Sequence, residues 1–373
     1  MEKRFLLIVE LVESLLNFRG PLIEALQASG LDVHVAAPDL EVAKPLRIAL
    51  ESRGVVVHSV RIGRAGTNPL QDLLTLASLW RLMRRVRPHC VLGYTVKPVV
   101  YGSLAAWLAR VPRRFALVTG LGYAFQGDAR RSRLQALVQW LYTVALARVQ
   151  KVFFQNPDDE ALFRQRAILR PTVASVVVNG SGVDIHRFEP APLPQGPSFL
   201  LIARLLGDKG VREYAQAAAR VQARHPQARF AMAGWIDENP DAISQDELDQ
   251  WVRSGAVHFM GRLEDVRPAL RECSVYVLPS YREGTPRTVL EAMAVGRPVI
   301  TTDAPGCRDT VVDGDNGLLV PVKSVDALEE AMLKFIESPG LAARMAASAR
   351  RMAEEKYDVR KVNAVMLAEM GFA

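Results

Sequence analysis

Residues 283–300 read EGTPRTVLEAMAVGRPVI, with Glu283 just before a helix and Glu291 inside it. Thr285 suits the N-cap, Pro286 the first helical position, and Val289, Met293 and nearby alanines form an apolar stripe that stops at Gly296. Pro298 blocks continuation, and PVITT (298–302) follows as a β-rich run. A helix start beside a strand is an anion site, because its unpaired N–H groups and its dipole favour phosphate. Glu291 lies about 7–8 Å along the axis at ~1.5 Å per residue, and Glu283 lies across the same anion site. A ligand with hydroxyls at both ends and a diphosphate between them, a nucleotide sugar, fits that spacing. The plainer alternative is a solvated loop carboxylate and a surface helix residue.

Outward from this stretch, strands and helices alternate. FLLIV (5–9), VHVAA (33–37), VVVHSV (55–60), CVLGY (90–94), FALVTG (115–120), KVFFQN (151–156) and SVVVNG (175–180) give one βαβ series. The proline-rich HRFEPAPLPQGPSF (186–199) interrupts it, and FLLIAR (199–204), ARFAMAG (228–234), VHFMG (257–261), VYVLPS (275–280), PVITT and GLLVP (317–321) give a second. The expected fold is therefore α/β, with two Rossmann-like domains facing across a cleft at the carboxyl ends of their sheets. The second series opens with IARLLGDKGVREYAQAA (202–218), where Arg204 ends a strand and Lys209 follows in a Gly-containing turn before a helix. Both cations are candidates to face an anion.

With 373 residues, 49% of them hydrophobic and 23% charged, the chain is long enough for two cores. Lys3-Arg4 before an apolar run imitate a signal peptide, but Glu10 and Glu13 interrupt the run early and a first strand is the better reading. No segment reaches the ~18 uninterrupted apolar residues of a membrane span. Cys90, Cys273 and Cys307 lack metal-ligand spacing, which points to a reduced, cytoplasmic protein. Residues 1–190 carry 25 Lys/Arg against 15 Asp/Glu, a net +10, whereas 191–373 carry 22 against 25, a net −3. The basic excess clusters at 81–89, 110–114 and 129–133, the last leading into LQALVQWLYTVALARVQK. That segment suits either a helix resting on an anionic membrane or a core helix with a solvated basic start. No nucleic-acid-binding motif accompanies the charge.

IARLLGDKG, AGWIDENP, SGAVHFMG, LPSYREGTPRTVLEAMAVGRPVITTD and DGDNGLLV together resemble family 4 of the glycosyltransferases, retaining enzymes of the GT-B fold. The resemblance runs almost continuously from about 199 to 355. FRGPLIEAL, GLGY, WIDENP…SGAVHF and LPSYREG are most similar to bacterial N-acetylhexosaminyltransferases that extend a saccharide on undecaprenyl diphosphate. The resemblance implies an acceptor-binding domain over 1–185 plus 357–373 and a nucleotide-sugar-binding domain over 190–356. It implies that Arg204 and Lys209 hold the donor diphosphate, that Glu283 meets hydroxyls of the donor sugar, and that Glu291 binds the ribose. Gly284 and Thr285 belong to the same helix start, and main chain at Arg262-Leu263 would meet the base.

The N-terminal half departs from the wider family. ELVESLLNFRGPLIEAL (10–26) replaces a glycine-rich loop, with Ser14, Asn17 and Arg19 near a helix start, and Thr119-Gly120-Leu121-Gly122-Tyr123 stands where many members have a histidine. Asn17, Arg19, Thr119 and Gly120 are the candidate substrate contacts. Lys97 either meets the acceptor phosphate or is a buried stem with a solvated ammonium. DGD (313–315) imitates a metal motif, yet it sits in a turn between apolar runs, so neither metal nor cofactor is expected. Fixed charge from Arg204, Lys209 and the helix start would then stabilise the leaving nucleotide. The expected function is transfer from a UDP-sugar to a lipid-linked saccharide by a peripheral enzyme at the inner face of the cytoplasmic membrane. A UDP-N-acetylglucosamine 2-epimerase and a non-catalytic sugar-nucleotide-binding subunit are the alternatives.

Overall fold

Both strand series are rich in segments buried on both faces, Cys90–Tyr94 and Ser198–Ile202 throughout, as a parallel sheet covered by helices on each side requires. The computed structural model describes residues 3–40, 43–63, 68–121, 132–338 and 340–372. The chain divides into an N-terminal domain, Met1–Ser181 with Arg360–Ala373, and a C-terminal domain, Gly182–Val359. The sequence reading ended the first segment at 185, began the second domain at 190 and placed the return at 357, against 181, 182 and 360 here.

The N-terminal domain holds β1 (Lys3–Ile8), β2 (Leu31–Ala37), β3 (Val56–Ser59), β4 (Cys90–Tyr94), β5 (Arg113–Val118), β6 (Lys151–Phe154) and β7 (Ala174–Val177). The C-terminal domain holds β8 (Ser198–Ile202), β9 (Arg229–Ala233), β10 (His258–Phe259), β11 (Val275–Leu278), β12 (Val299–Thr302) and β13 (Gly317–Val320). The strand orders are β3-β2-β1-β4-β5-β6-β7 and β10-β9-β8-β11-β12-β13. Every ladder pairing within them is parallel. Each order reverses once, between β1 and β4 and between β8 and β11. Such switch points leave a crevice at the carboxyl ends of the two central strands, where ligands of doubly wound sheets bind.

The last helix, Val359–Met370, returns to the first domain, where Met366, Leu367 and Met370 join the core with Phe5, Phe115 and Phe153. Arg113 fixes it by donating to the Met370 carbonyl at 3.2 Å. Val362 is buried as the helical spacing suggests, but Val365 is 46% exposed and lies off the packed face.

Helix Ser132–Leu146 divides the two readings of its sequence between its two sides. Tyr142, Ala145 and Leu146 enter the core, while Trp140 is 60% exposed. The basic run that precedes it, residues 129–131 and the Arg133 side chain, lies outside the described residues, as do Gly122 and Tyr123. Among the described residues no helix is long and apolar enough to cross a membrane.

Candidate functional site

Arg204 follows β8, and the loop 279–285 follows β11, so both leave the sheet at its switch point. After Leu206 the chain makes one 3₁₀ turn, Gly207–Lys209, then passes Gly210 at φ 70° into helix Val211–Arg224. A Cβ on Gly210 would lie 2.2 Å from the Pro279 carbonyl oxygen, so only glycine lets the turn press against the loop after β11. The Tyr281 N–H donates to the Asp208 carbonyl at 2.8 Å and locks the two segments together.

The docking brings Lys209 to Glu283. The ammonium donates to Glu283 Oε1 at 2.5 Å, and the fully buried Ser280 hydroxyl donates to the same oxygen at 2.8 Å. Burial opposes the Lys209 charge, and the Glu283 carboxylate more than offsets it, leaving the pKa above its ordinary value. Asp208 beside it is pushed up by burial, with Lys209 pulling down and Glu283 and Asp241 pushing up. Its Oδ1 is buried without a hydrogen-bond partner among the described residues. Arg204 is exposed and donates from Nη1 to Asp237 Oδ2 at 3.1 Å.

Beyond Glu283 the chain turns through Gly284 and Thr285 into helix Arg287–Ala294. Pro286, rather than Thr285, stands at its N-cap, one position later than the sequence suggests. The turn is held from below: the Glu283 N–H donates to the Pro305 carbonyl at 3.0 Å. Gly306 at φ 76° sits so close that a Cβ would come within 2.2 Å of the Glu283 carbonyl oxygen. Glu291 is only 7% exposed and accepts from Arg287 Nε at 2.8 Å, which overturns the plain reading of it as a surface residue. Burial raises its pKa, while Arg287 and Arg187 pull it down. After β10, Arg262 is exposed with its guanidinium 4.7 Å above the Trp235 ring, and Leu263 packs on the core.

The N-terminal candidates are less concentrated. Asn17 is exposed, but it and Arg19 lie within helix Val12–Ala28 rather than at its start. Arg19 is only 3% exposed, with its guanidinium 5.1 Å from the centre of the Tyr94 ring. The Lys97 ammonium is not simply solvated, because it donates to Asp72 Oδ1 at 3.1 Å in a partly buried pair. Thr119 and Gly120 are half-buried in the loop after β5. DGD is a turn: Asp313 Oδ1 accepts from the Leu319 N–H at 2.9 Å and Asp315 Oδ1 from the Ser348 hydroxyl at 2.8 Å.

Ser280, Arg287, Asp237 and Asp241 escaped the sequence reading. Arg287 alone carried a local signal, four residues before Glu291 on one helix face.

The switch point of the C-terminal α/β domain thus gathers two cations, Arg204 and Lys209, a helix start and two acids, Glu283 and Glu291. Residues 196–338 match the family model "Glycosyl transferases group 1", and residues 6–156 match "Glycosyl transferase 4-like". The chain is 29% identical over 360 residues to the N,N'-diacetylbacillosaminyl-diphospho-undecaprenol alpha-1,3-N-acetylgalactosaminyltransferase of Campylobacter jejuni, covering 92% of each chain. It is 25% identical to the UDP-Gal:alpha-D-GlcNAc-diphosphoundecaprenol alpha-1,3-galactosyltransferase of Escherichia coli, covering 72% of this chain and 71% of the other. In fold it is similar to sucrose-phosphate synthase of Thermosynechococcus elongatus, with a TM-score of 0.80, 18% identity and coverage of 100% and 99%. It is similar also to Anabaena HepE in complex with UDP, with a TM-score of 0.78, 19% identity and full coverage of both chains. The chain belongs to the group 1, family 4 glycosyltransferases and has their GT-B fold.

Proposed function

We propose that this glycosyltransferase moves an N-acetylhexosamine from a UDP-sugar to a saccharide carried on a polyprenyl diphosphate, with retention at the anomeric centre. The observation that carries the donor half is the Lys209–Glu283 contact at the start of the helix that holds Glu291. Lys209 and Arg204 hold the diphosphate, Glu283 meets the sugar hydroxyls, Glu291 the ribose, and main chain at Arg262-Leu263 the base. As the bond to the leaving UDP breaks, the two cations and the first-turn N–H groups stabilise the charge that develops there. The acceptor hydroxyl attacks from the leaving-group face, and a donor phosphate oxygen takes its proton.

The acceptor half draws on the likeness to the Campylobacter enzyme along nearly the whole chain, whose name states a diphospho-undecaprenol substrate. The named relatives transfer sugars, which favours transfer over the 2-epimerase reading. Exposed Leu70, Leu73 and Leu74 on helix Pro69–Val86 and Trp140 on Ser132–Leu146 support peripheral contact with a membrane, and we take the face to be the cytoplasmic one because the first half of the chain is basic. Between these helices lies an apolar cavity of about 440 Å³, lined by Leu73, Leu76, Val100, Leu137 and Leu141. We take the reaction to be metal-independent, because the DGD carboxylates are engaged by protein donors and fixed cations are available for the leaving group.

A screen of UDP-sugars for UDP release, with and without lipid-linked saccharides and in EDTA, tests this function. Acceptor-dependent release from a UDP-N-acetylhexosamine is expected. Conversion of the UDP-sugar without acceptor selects the epimerase, and loss of activity in EDTA with rescue by a divalent cation removes metal independence.

A further inference from the structure

The loop 235–243, between β9 and helix Gln245–Arg253, runs alongside the segment that carries both diphosphate cations. The Leu205 N–H donates to the Trp235 carbonyl at 2.9 Å, the Ile243 N–H to the Leu205 carbonyl at 3.0 Å, and the Gly207 N–H to the Asp241 carbonyl at 2.8 Å. Leu206 and Ala242 form an antiparallel bridge between them. The loop therefore acts as a short added strand beside Leu205–Gly207, and its side chains reach where backbone pairing ends.

Two carboxylates make that reach. Asp241 Oδ2 accepts the Asp208 N–H at 2.7 Å, inside the turn that carries Lys209. A Cβ on Gly207 would lie 2.9 Å from Asp241 Oδ1, so the carboxylate rests directly on the glycine backbone. Asp237 Oδ2 accepts from Arg204 Nη1 at 3.1 Å. The loop is itself braced: Asp237 Oδ1 accepts the Asn239 N–H and Asn239 Oδ1 accepts the Asp241 N–H, each at 3.0 Å. At its exit Glu247 closes a capping box with Ser244 and is gripped by Arg212, at 2.7 Å and 3.2 Å, from the helix that follows Lys209.

Acids beside a site for a dianion repel it, and Asp241 already opposes ionisation of its neighbour Asp208. Their compensating effect is order: cations fixed before the ligand arrives lose less freedom on binding. We infer that Asp241 and Asp237 are the positioning residues of the diphosphate site, Asp241 by setting the Gly207–Lys209 turn and Asp237 by aiming Arg204. This rests on the donor reading above.

Calorimetric titration with UDP and with UMP tests it without reference to turnover, because the ratio of the two affinities isolates the second phosphate. The parent should bind UDP at least about tenfold more tightly than UMP, from the worth of one hydrogen bond to a charged group. Asp241→Ala should bring that ratio near one while UMP affinity holds, and Asp241→Asn, which keeps an oxygen for the Asp208 N–H, should recover most of it. Asp237→Ala should lower the ratio by several-fold with the unfolding midpoint unchanged. Equal weakening of UMP and UDP, or a parental ratio in folded Asp241→Ala or Asp237→Ala, overturns the positioning role. If the parent itself does not prefer UDP to UMP, the donor reading fails instead.

Discussion

In the proposed donor site Lys209 and Arg204 would do the same electrostatic work from different surroundings, and their replacements should separate. Lys209 is 15% exposed against a Glu283 that is 17% exposed, so Lys209→Ala strands a nearly buried carboxylate and should lower stability by about 3–5 kcal/mol. Arg204→Ala, at an exposed position, should stay within about 0.5 kcal/mol of the parent. Both should cut turnover by about 10²–10³-fold, as loss of one charge stabiliser does. Denaturant unfolding and initial rates on the same preparations read the two effects apart. Away from the site, His58 is lowered to about 4 by burial first and then by His34 and Arg85, with Asp32 opposing. His34 and His58 share a hydrogen bond of 2.8 Å, and Asp32 holds the other side of the His34 ring at 3.0 Å. A depressed histidine pKa favours the neutral form in the fold. Its contribution is therefore complete above the unfolded value of 6.5 and is lost as pH falls toward about 4. Urea midpoints across that window should fall more steeply for the parent than for His58→Gln; parallel curves would contradict the assignment. The local placement of Arg204 after a strand, of Lys209 in a glycine-containing turn before a helix, of Glu283 just before a helix and of Glu291 inside it was legible, because local spacing marks it. Arg19 and Lys97 were not, because their partners Tyr94 and Asp72 come from elsewhere in the chain and make them interior groups.

The helix that opens at Pro286 shows which local signals survive folding. Its stripe, its end at Gly296 and the following strand were readable, because they depend on propensity and periodicity within a few residues. Its N-cap moved by one position, since the turn before it is shaped by the Pro305 carbonyl and by Gly306, some twenty residues on. Arg297 was unreadable for the same reason: fully buried, it donates to the carbonyls of Leu270, Arg271, Ala191 and Pro192, tying the proline-rich connection to the second domain. Two left-handed glycines, Gly210 in the Lys209 turn and Gly255 after helix Gln245–Arg253, give a controlled test at this scale. Gly210→Ala and Gly255→Ala impose the same strain at φ 70° and 75°, but a Cβ meets backbone 2.2 Å away at Gly210 and nothing within 4 Å at Gly255. Gly255→Ala should cost about 1–2 kcal/mol, and Gly210→Ala visibly more, with loss of UDP binding. Equal costs, with UDP binding intact in both, would mean that the contact with Pro279 does not set the Lys209 turn.

Across the whole molecule, the two βαβ series follow from apolar patterns that repeat along the chain and their break from a proline-rich run, whereas the return of the last helix was implied by the family resemblance. The sidedness of helix Ser132–Leu146 follows from neither, because an apolar run with scattered polar residues does not say which side meets the core. Removing residues 360–373 withdraws Met366, Leu367 and Met370 from the N-terminal core, and large-to-nothing changes at three buried positions should unfold that domain. The truncated chain should lose transfer yet keep UDP binding in the C-terminal domain, which calorimetry can read; retention of full turnover would contradict the assignment of this helix. The central claim is that the donor site works on a lipid-linked acceptor. Its most direct measurement is the mass and anomeric configuration of the product made from UDP-N-acetylhexosamine and a polyprenyl-diphosphate saccharide. The expected product is a lipid-linked saccharide heavier by one N-acetylhexosamine, joined with the donor's α configuration. An unchanged acceptor beside an epimerised UDP-sugar, or a β-linked product, would contradict the claim.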